Sequence, residues 1–272
     1  MGEKIGLIAG NGKFPLLFAQ AASKEGYEVI AIAHKGETEP DLEKYVNQIE
    51  WIKVGQLGKL IKTFKKAEVK DVVLAGGITK RRLFTEIFPD LKALSLLTKL
   101  KNKSDDAALR AIAKELEKEG LIVRPSTLFI SSLIAPAGCL TKRKPDREEE
   151  KDIRFGWKIA KEIGRLDIGQ CVVVKKQTVV AVEAIEGTDE AIRRGGRLAK
   201  EGAVVIKVSK PQQDLRFDVP AVGLGTIKTM AEVKANVLAI EAERTLIFDK
   251  EEMLATANEV GISVVSLESV DR

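Results

Sequence analysis

"KIGLIAGNGKFPLLFAQAASKEGYEVIAIA", residues 4–33, decides the fold class. "KIGLIA" (4–9) is a short apolar run with the length of a buried strand. "FPLLFAQAASKEG" (14–26) carries apolar residues at helical spacing and stops at Gly26. "YEVIAIA" (27–33) is a second apolar run. Strand, glycine turn, helix and strand in that order make a parallel crossover unit.

The alternation continues outward from that unit. "QIEWIKV" (48–54) reads as a strand, "LGKLIKTFKKAEV" (57–69) as a helix and "DVVLAGG" (71–77) as a fourth strand. Residues 81–119 read as mostly helical, and "LIVRP" (121–125) as the last strand of this half. The expectation is an α/β chain whose N-terminal domain, residues 1–134, is a Rossmann-like doubly wound sheet. "APAGCLTKRKPDREEEKD" (135–152), with two prolines and a dense charge run, reads as a linker. Residues 153–272 then form a smaller C-terminal α/β domain, expected to be catalytic. Its elements are a helix at 153–166, a hairpin of 170–176 with 178–185, a helix at 188–201 and a strand at 203–209. A helix near 226–233, strands at 236–241 and 244–249, a helix at 250–260 and a strand at 262–267 complete it. No internal repeat is visible.

Composition narrows the chemistry. The chain has 272 residues, 44% of them hydrophobic but only 5% aromatic, so its cores are aliphatic. The net charge of +5 suits an anionic substrate, an anionic membrane surface or nucleic acid. Two cysteines without short spacing imply no disulfide framework and a cytoplasmic location. The N-terminus has no secretory h-region, and no apolar run is long enough to span a bilayer. A single histidine, His34, argues against a zinc site and against a His-based triad, so any metal is an oxygen-bound Mg²⁺ or Mn²⁺.

Four stretches carry candidate site residues. In "GLIAGNGKFP" (6–15), Gly10, Asn11 and Gly12 form a strand-to-helix turn of the kind that approaches phosphates. The dinucleotide fingerprint fails there: Pro15 replaces its third glycine, and the second strand ends in His34-Lys35-Gly36 with no acid for a ribose. "AGGITKRRLF" (75–84) leaves the fourth strand in the same way, with Gly76, Gly77, Thr79 and Lys80 as substrate-binding candidates. In "AVEAIEGTDEAIRRGG" (181–196), Thr188 suits a helix N-cap, with Asp189 in the first turn. Glu183 sits in an apolar strand and needs a partner or a metal. The most polar stretch is "KPQQDLRFDVPAVGLGT" (210–226). If extended, Asp214, Arg216 and Asp218 share a face, where two carboxylates hold a cation and a guanidinium grips a phosphate. Lys210 and Gln213 lie beside them.

These stretches, with "DIRFGWKIAKEIGRLDIGQCVVVK" and "VLAIEAERTLIFD", run in order across essentially the whole chain and resemble the LpxI-type UDP-2,3-diacylglucosamine pyrophosphatases of bacterial lipid A synthesis. The resemblance implies a magnesium-dependent hydrolase that releases UMP and 2,3-diacylglucosamine 1-phosphate (lipid X). It also implies a site between two domains, a homodimer and a cytoplasmic enzyme in peripheral contact with the inner membrane. The family's essential aspartate falls in "QQDLRFDVP", on Asp218, with Asp214 as the alternative. The expected catalytic set is Asp218, Asp214 and Arg216, and the expected metal ligands are Asp218, Asp214 and Glu183. Gln170, Thr188, Asp189, Lys210 and Gln213 join the substrate-binding set. The competing readings are a Rossmann-type sugar-nucleotide or dinucleotide-binding enzyme and a basic RNA-binding protein. The sparse aromatics and absent RNA-binding signature weigh against the second.

Overall fold

The computed structural model describes residues 2–79, 88–99 and 105–268. Lys80, the start of the helical run expected from residue 81, and the basic pair Arg81 and Arg82 lie outside them. The chain forms two compact units. One holds Met1–Ser131 with Asp214–Asp218, the other Ser132–Gln213 with Val219–Arg272.

The first unit follows the order β1 (Lys4–Ala9), α1 (Phe14–Lys24), β2 (Glu28–His34), β3 (Gln48–Ile52), α2 (Leu57–Lys66), β4 (Asp71–Ala75), α3 (Leu91–Lys99), α4 (Asp105–Lys118) and β5 (Ile122–Val123). Its strands form one parallel sheet in the order β3-β2-β1-β4-β5. The order reverses direction on either side of β1, as in a doubly wound sheet. β1 and β2 are central and buried apart from their first residues, which is why their sequences read as continuous apolar runs. Phe64 of α2, Leu116 of α4 and Phe217, which belongs to the returning segment, are buried in one core on this sheet.

The second unit contains β6 (Gly138–Cys139), α5 (Arg147–Arg165), β7 (Cys171–Lys175), β8 (Thr178–Val182), α6 (Thr188–Ala199), β9 (Val204–Lys207), β10 (Ala221–Val222), α7 (Leu224–Glu232), β11 (Val237–Glu241), β12 (Leu246–Ile247), α8 (Lys250–Glu259) and β13 (Ser263–Leu267). Its mixed sheet runs β6-β13-β11-β9-β7-β8, and β10 pairs separately with β12. β9, β11 and β13 are mutually parallel; β7 and β8 form the expected hairpin. Its tip, Lys176-Gln177, has positive φ at both residues, and both N–H groups donate to the Asp152 carboxylate. Alternate residues of β7 and β9 enter different cores: Val173 and Val205 one, Val172 and Ile206 with Trp157 of α5 the other.

Two expectations are corrected. Residues 135–152 are not a linker: they supply β6, which pairs with β13, and the first turns of α5. Asp146 caps that helix by accepting from Glu149 N at 2.8 Å, while the Glu149 carboxylate accepts from Asp146 N. The C-terminal unit is also not the smaller one, since each unit takes half of the chain.

Candidate functional site

In the first unit the turns after β1 and β4 interlock at the carboxyl edge of the sheet. Gly10 N donates to Ala75 O and Asn11 N to Gly77 O, each at 2.8 Å. A Cβ on Gly10 would lie 2.3 Å from Gly77 O, and one on Gly76, whose φ is +81°, would lie 2.4 Å from Asn11 O. Gly10 and Gly76 are therefore glycines because two backbones touch. The N–H groups of Gly10 and Asn11 point at the end of β4 and the turn after it, and it is Gly12, with φ +80° and open space around its Cβ position, that faces outward. Gly77 and Thr79 are exposed.

A carboxylate that the sequence reading passed over joins these turns. Glu37, 6% exposed, accepts from Asn11 Nδ2 at 2.9 Å, Thr79 N at 3.1 Å and Thr79 Oγ1 at 2.9 Å. It lies just past β2, so the edge does carry an acid near the place where Rossmann sheets hold a ribose, although His34-Lys35-Gly36 showed none. Beside it, His34 Nδ1 donates to Ala9 O at 2.9 Å, an atom that only accepts. Burial lowers the His34 pKa, so the ring is neutral near pH 7.

In the second unit, Glu183 has its partners. One oxygen accepts from Thr188 Oγ1 at 2.8 Å and the other from Gln170 N at 3.2 Å. Thr188 is thus not an N-cap. The cap position is Gly187 at φ +86°, and the threonine hydroxyl is turned back to the strand. Asp189 lies exposed in the first turn of α6. Among the described residues Gln170 Oε1 is buried without a hydrogen-bond partner, which makes it an unsatisfied acceptor. Burial, with Glu183 nearby, pushes the Cys171 thiol far up, so it stays protonated.

The strand ends next to it are held by a buried ion pair. Glu241, 5% exposed, closes β11 and accepts from Lys161 Nζ at 2.8 and 2.7 Å. It also accepts from Ser209 N at 2.8 Å, while Lys161 Nζ donates to Ser209 O at 2.9 Å. Both backbone groups of Ser209 are thereby clamped where β9 gives way to the polar stretch. The next residues stay anchored in the same unit. Gln213 Oε1 accepts from Lys210 N at 2.9 Å and Ser209 Oγ at 3.2 Å, Lys210 Nζ donates to Asp167, and Gln212 Nε2 donates to Gly164 O at 2.8 Å. Lys161 and Glu241 were missed in the sequence. The one signal was a glutamate ending the apolar run "VLAIE".

At Asp214 the chain joins the first unit, and there it turns. Phe217 N and Asp218 N donate to Asp214 O at 3.2 and 3.1 Å, so residues 214, 216 and 218 do not share an extended face. Phe217 is buried in the core, and Ser126 N donates to Arg216 O at 2.7 Å. The Arg216 guanidinium spans Asp214, through Nε at 3.1 Å and Nη2 at 2.8 Å, and Glu117, through Nη1 at 3.1 Å. Arg216 holds the Asp214 carboxyl below the usual aspartate range. Asp218 is half-buried at the end of the turn.

This donor set fits a divalent cation only in part. Among the described residues no three His, Cys, Asp or Glu side chains group into a metal cage. Glu183 and Asp214 each use both oxygens on other partners. Asp218 is the third carboxylate of the expected ligand set. One carboxylate, with waters and substrate phosphate oxygens, is an ordinary Mg²⁺ arrangement.

Comparison with known proteins completes the description. Residues 4–133 match the model of the LpxI N-terminal domain, and residues 136–265 that of the LpxI C-terminal domain. The chain is 35% identical over 281 residues to the UDP-2,3-diacylglucosamine pyrophosphatase LpxI of Caulobacter vibrioides, with 99% of each covered. Among solved structures it is similar to the precorrin-6A reductase CobK, at 11% identity and a TM-score of 0.30 over 98% of this chain and 88% of that one. It is also similar to the biotin carboxylase domain of a thermophilic 2-oxoglutarate carboxylase, at 15% identity and a TM-score of 0.28 over 64% of this chain and 35% of that one. Likenesses at that level carry no argument about function. Two domain models spanning nearly every residue, and a full-length relative above 30% identity, do: the chain belongs to the LpxI family.

Proposed function

We propose that this protein is a UDP-2,3-diacylglucosamine diphosphatase, cleaving the substrate diphosphate to UMP and 2,3-diacylglucosamine 1-phosphate in lipid A synthesis. The observation that carries the reading is the end-to-end match to the Caulobacter pyrophosphatase, through both domains. Within it, Asp218 is the essential carboxylate. Asp214 and Arg216 form the internal pair that shapes the turn, and Phe217 and Ser126 fix that turn on the first unit. Gln170, with its unsatisfied buried oxygen, is a substrate-binding acceptor. Gly12, Gly77 and Thr79 are exposed in the first unit's interlocked turns. The reading includes Mg²⁺ or Mn²⁺, held by Asp218 and substrate oxygens, and the ion supplies charge neutralisation on the diphosphate. It also includes a homodimer and a place at the cytoplasmic face of the inner membrane, where a diacylated substrate lies.

The experiment is UMP release by the purified full-length chain and by Asp218→Ala, with Mg²⁺ and after EDTA treatment. Loss of a key electrostatic group lowers kcat by about two to three orders of magnitude. Asp218→Ala is expected to show that loss with substrate binding retained, and EDTA to abolish turnover reversibly. Near-normal kcat in Asp218→Ala would remove the assignment of the turn, and full activity in EDTA would remove the metal.

A further inference from the structure

We infer that α3, with the lysines beside it, is a surface that docks on an anionic lipid bilayer. Leu91 is 87% exposed, Leu94 and Leu97 are each 45% exposed, and Phe88 just before the helix is 52% exposed. Spaced by three, they lie along one side of the helix. That side is not a core face turned outward. Ala93 is buried and Leu96 packs against the core of the first unit. Asp90 caps the helix by accepting from Ala93 N at 2.9 Å, and its other oxygen accepts from Gly58 N at 2.6 Å. Lys92 pairs with Glu115 of α4 and with Glu119 just past its end. The inward side is fixed by packing, a cap and an ion pair, so the leucines stay on the surface.

Charge chooses the occupant. Lys53 Nζ lies 3.8 Å from the centroid of the Phe88 ring. Lys62 and Lys66 are exposed on α2, which packs against α3, while Lys59 and Lys65 of the same helix pair with Glu50 and Glu119. A second copy seated symmetrically would bring these lysines against each other. Anionic headgroups above hydrocarbon satisfy both the lysines and the leucines. Among the described residues no helix is long and apolar enough to cross a membrane, so α3 lies on the surface and does not span it. The inference deepens the proposed function and rests on it only for the substrate being in the bilayer.

Flotation of the full-length chain with vesicles tests it without substrate, so its failure is separate from failure of the hydrolase reading. The protein should float with vesicles of phosphatidylethanolamine and phosphatidylglycerol, not with phosphatidylcholine, and added salt should weaken the binding. Leu91→Ser/Leu94→Ser/Leu97→Ser should lower binding at least about tenfold, with circular dichroism, sedimentation and turnover of detergent-dispersed substrate unchanged. Lys53→Gln/Lys62→Gln, which leaves the leucines in place, should weaken binding to anionic vesicles alone. Parental binding without preference for anionic lipid, or a folded serine variant or a lysine variant that binds as the parent does, would overturn the proposal. So would a serine variant whose assembled mass drops, since a second copy would then be the cover.

Discussion

Glu241→Ala removes the acceptor that pins the start of the polar stretch. Two bonds from Lys161 and one from Ser209 N end on this carboxylate, which is 5% exposed. Removing one partner of a buried ion pair costs about 3–5 kcal/mol, part of it the unsatisfied backbone N–H left behind. The Lys161 side chain keeps 27% exposure and recovers some hydration, which places the cost at the lower end, about 3 kcal/mol. With a urea m-value of about 2 kcal/mol/M, the unfolding midpoint falls by about 1.5 M. Trp157, 2% exposed in a core of the second unit, reports this transition by fluorescence once Trp51 is replaced by Phe. Below the transition, the variant tests whether the clamp positions the site. A displaced Ser209–Gln213 segment moves the turn that follows it, so kcat should fall about tenfold to a hundredfold with KM little changed. Glu241→Gln keeps an acceptor for Ser209 N and should recover part of both losses. A Glu241→Ala midpoint equal to the parent's would show that the pair does not anchor the strand end. A normal kcat in a destabilised variant would confine it to structure.

Other outcomes follow from the same geometry. Gly76→Ala combines a left-handed φ of +81° with a Cβ 2.4 Å from Asn11 O, and should cost at least about 2 kcal/mol; a parental Tm would show that the turns are not interlocked. A thiol reagent should modify Cys139 alone in the native protein and both cysteines after denaturation, because Cys171 is buried and kept protonated. In an NMR titration the Asp214 carboxyl should protonate below its ordinary value of 3.8, and Arg216→Gln should return it toward that value. The folded pKa is the lowered one, so the pair's contribution to stability is complete above the ordinary value and lost as pH falls through the folded one. An Asp214 carboxyl that titrates at its ordinary value would contradict the pair.

Sequence legibility followed how locally each feature is determined. β1, α1 and β2 were readable because buried strands and a helical stripe write their periods into adjacent residues. The run 135–152 was misread because its prolines and charges outweighed the Asp146-x-x-Glu149 capping box that opens α5. Glu183 reads as a carboxylate that needs a partner or a metal, and the structure supplies hydrogen-bond partners. One of them, Thr188, lies five residues on, where its sequence position suits a helix cap. The alternation of Asp214, Arg216 and Asp218 suggested an extended face. The chain turns instead, because Phe217 has a core to enter and Asp214 O accepts the N–H groups of Phe217 and Asp218. Lys161, Ser209 and Glu241 meet only when the sheet assembles, and Glu37 joins Asn11 and Thr79 only once β2 and β4 flank β1. No window of sequence contains either cluster.

The central claim is diphosphate cleavage, and phosphorus NMR of the full-length protein with UDP-2,3-diacylglucosamine and Mg²⁺ tests it most directly. The two coupled diphosphate resonances should disappear, and two phosphomonoester resonances, UMP and the sugar 1-phosphate, should grow in equal amounts. A diphosphate pair that persists, either unchanged or shifted to that of released UDP, would contradict it.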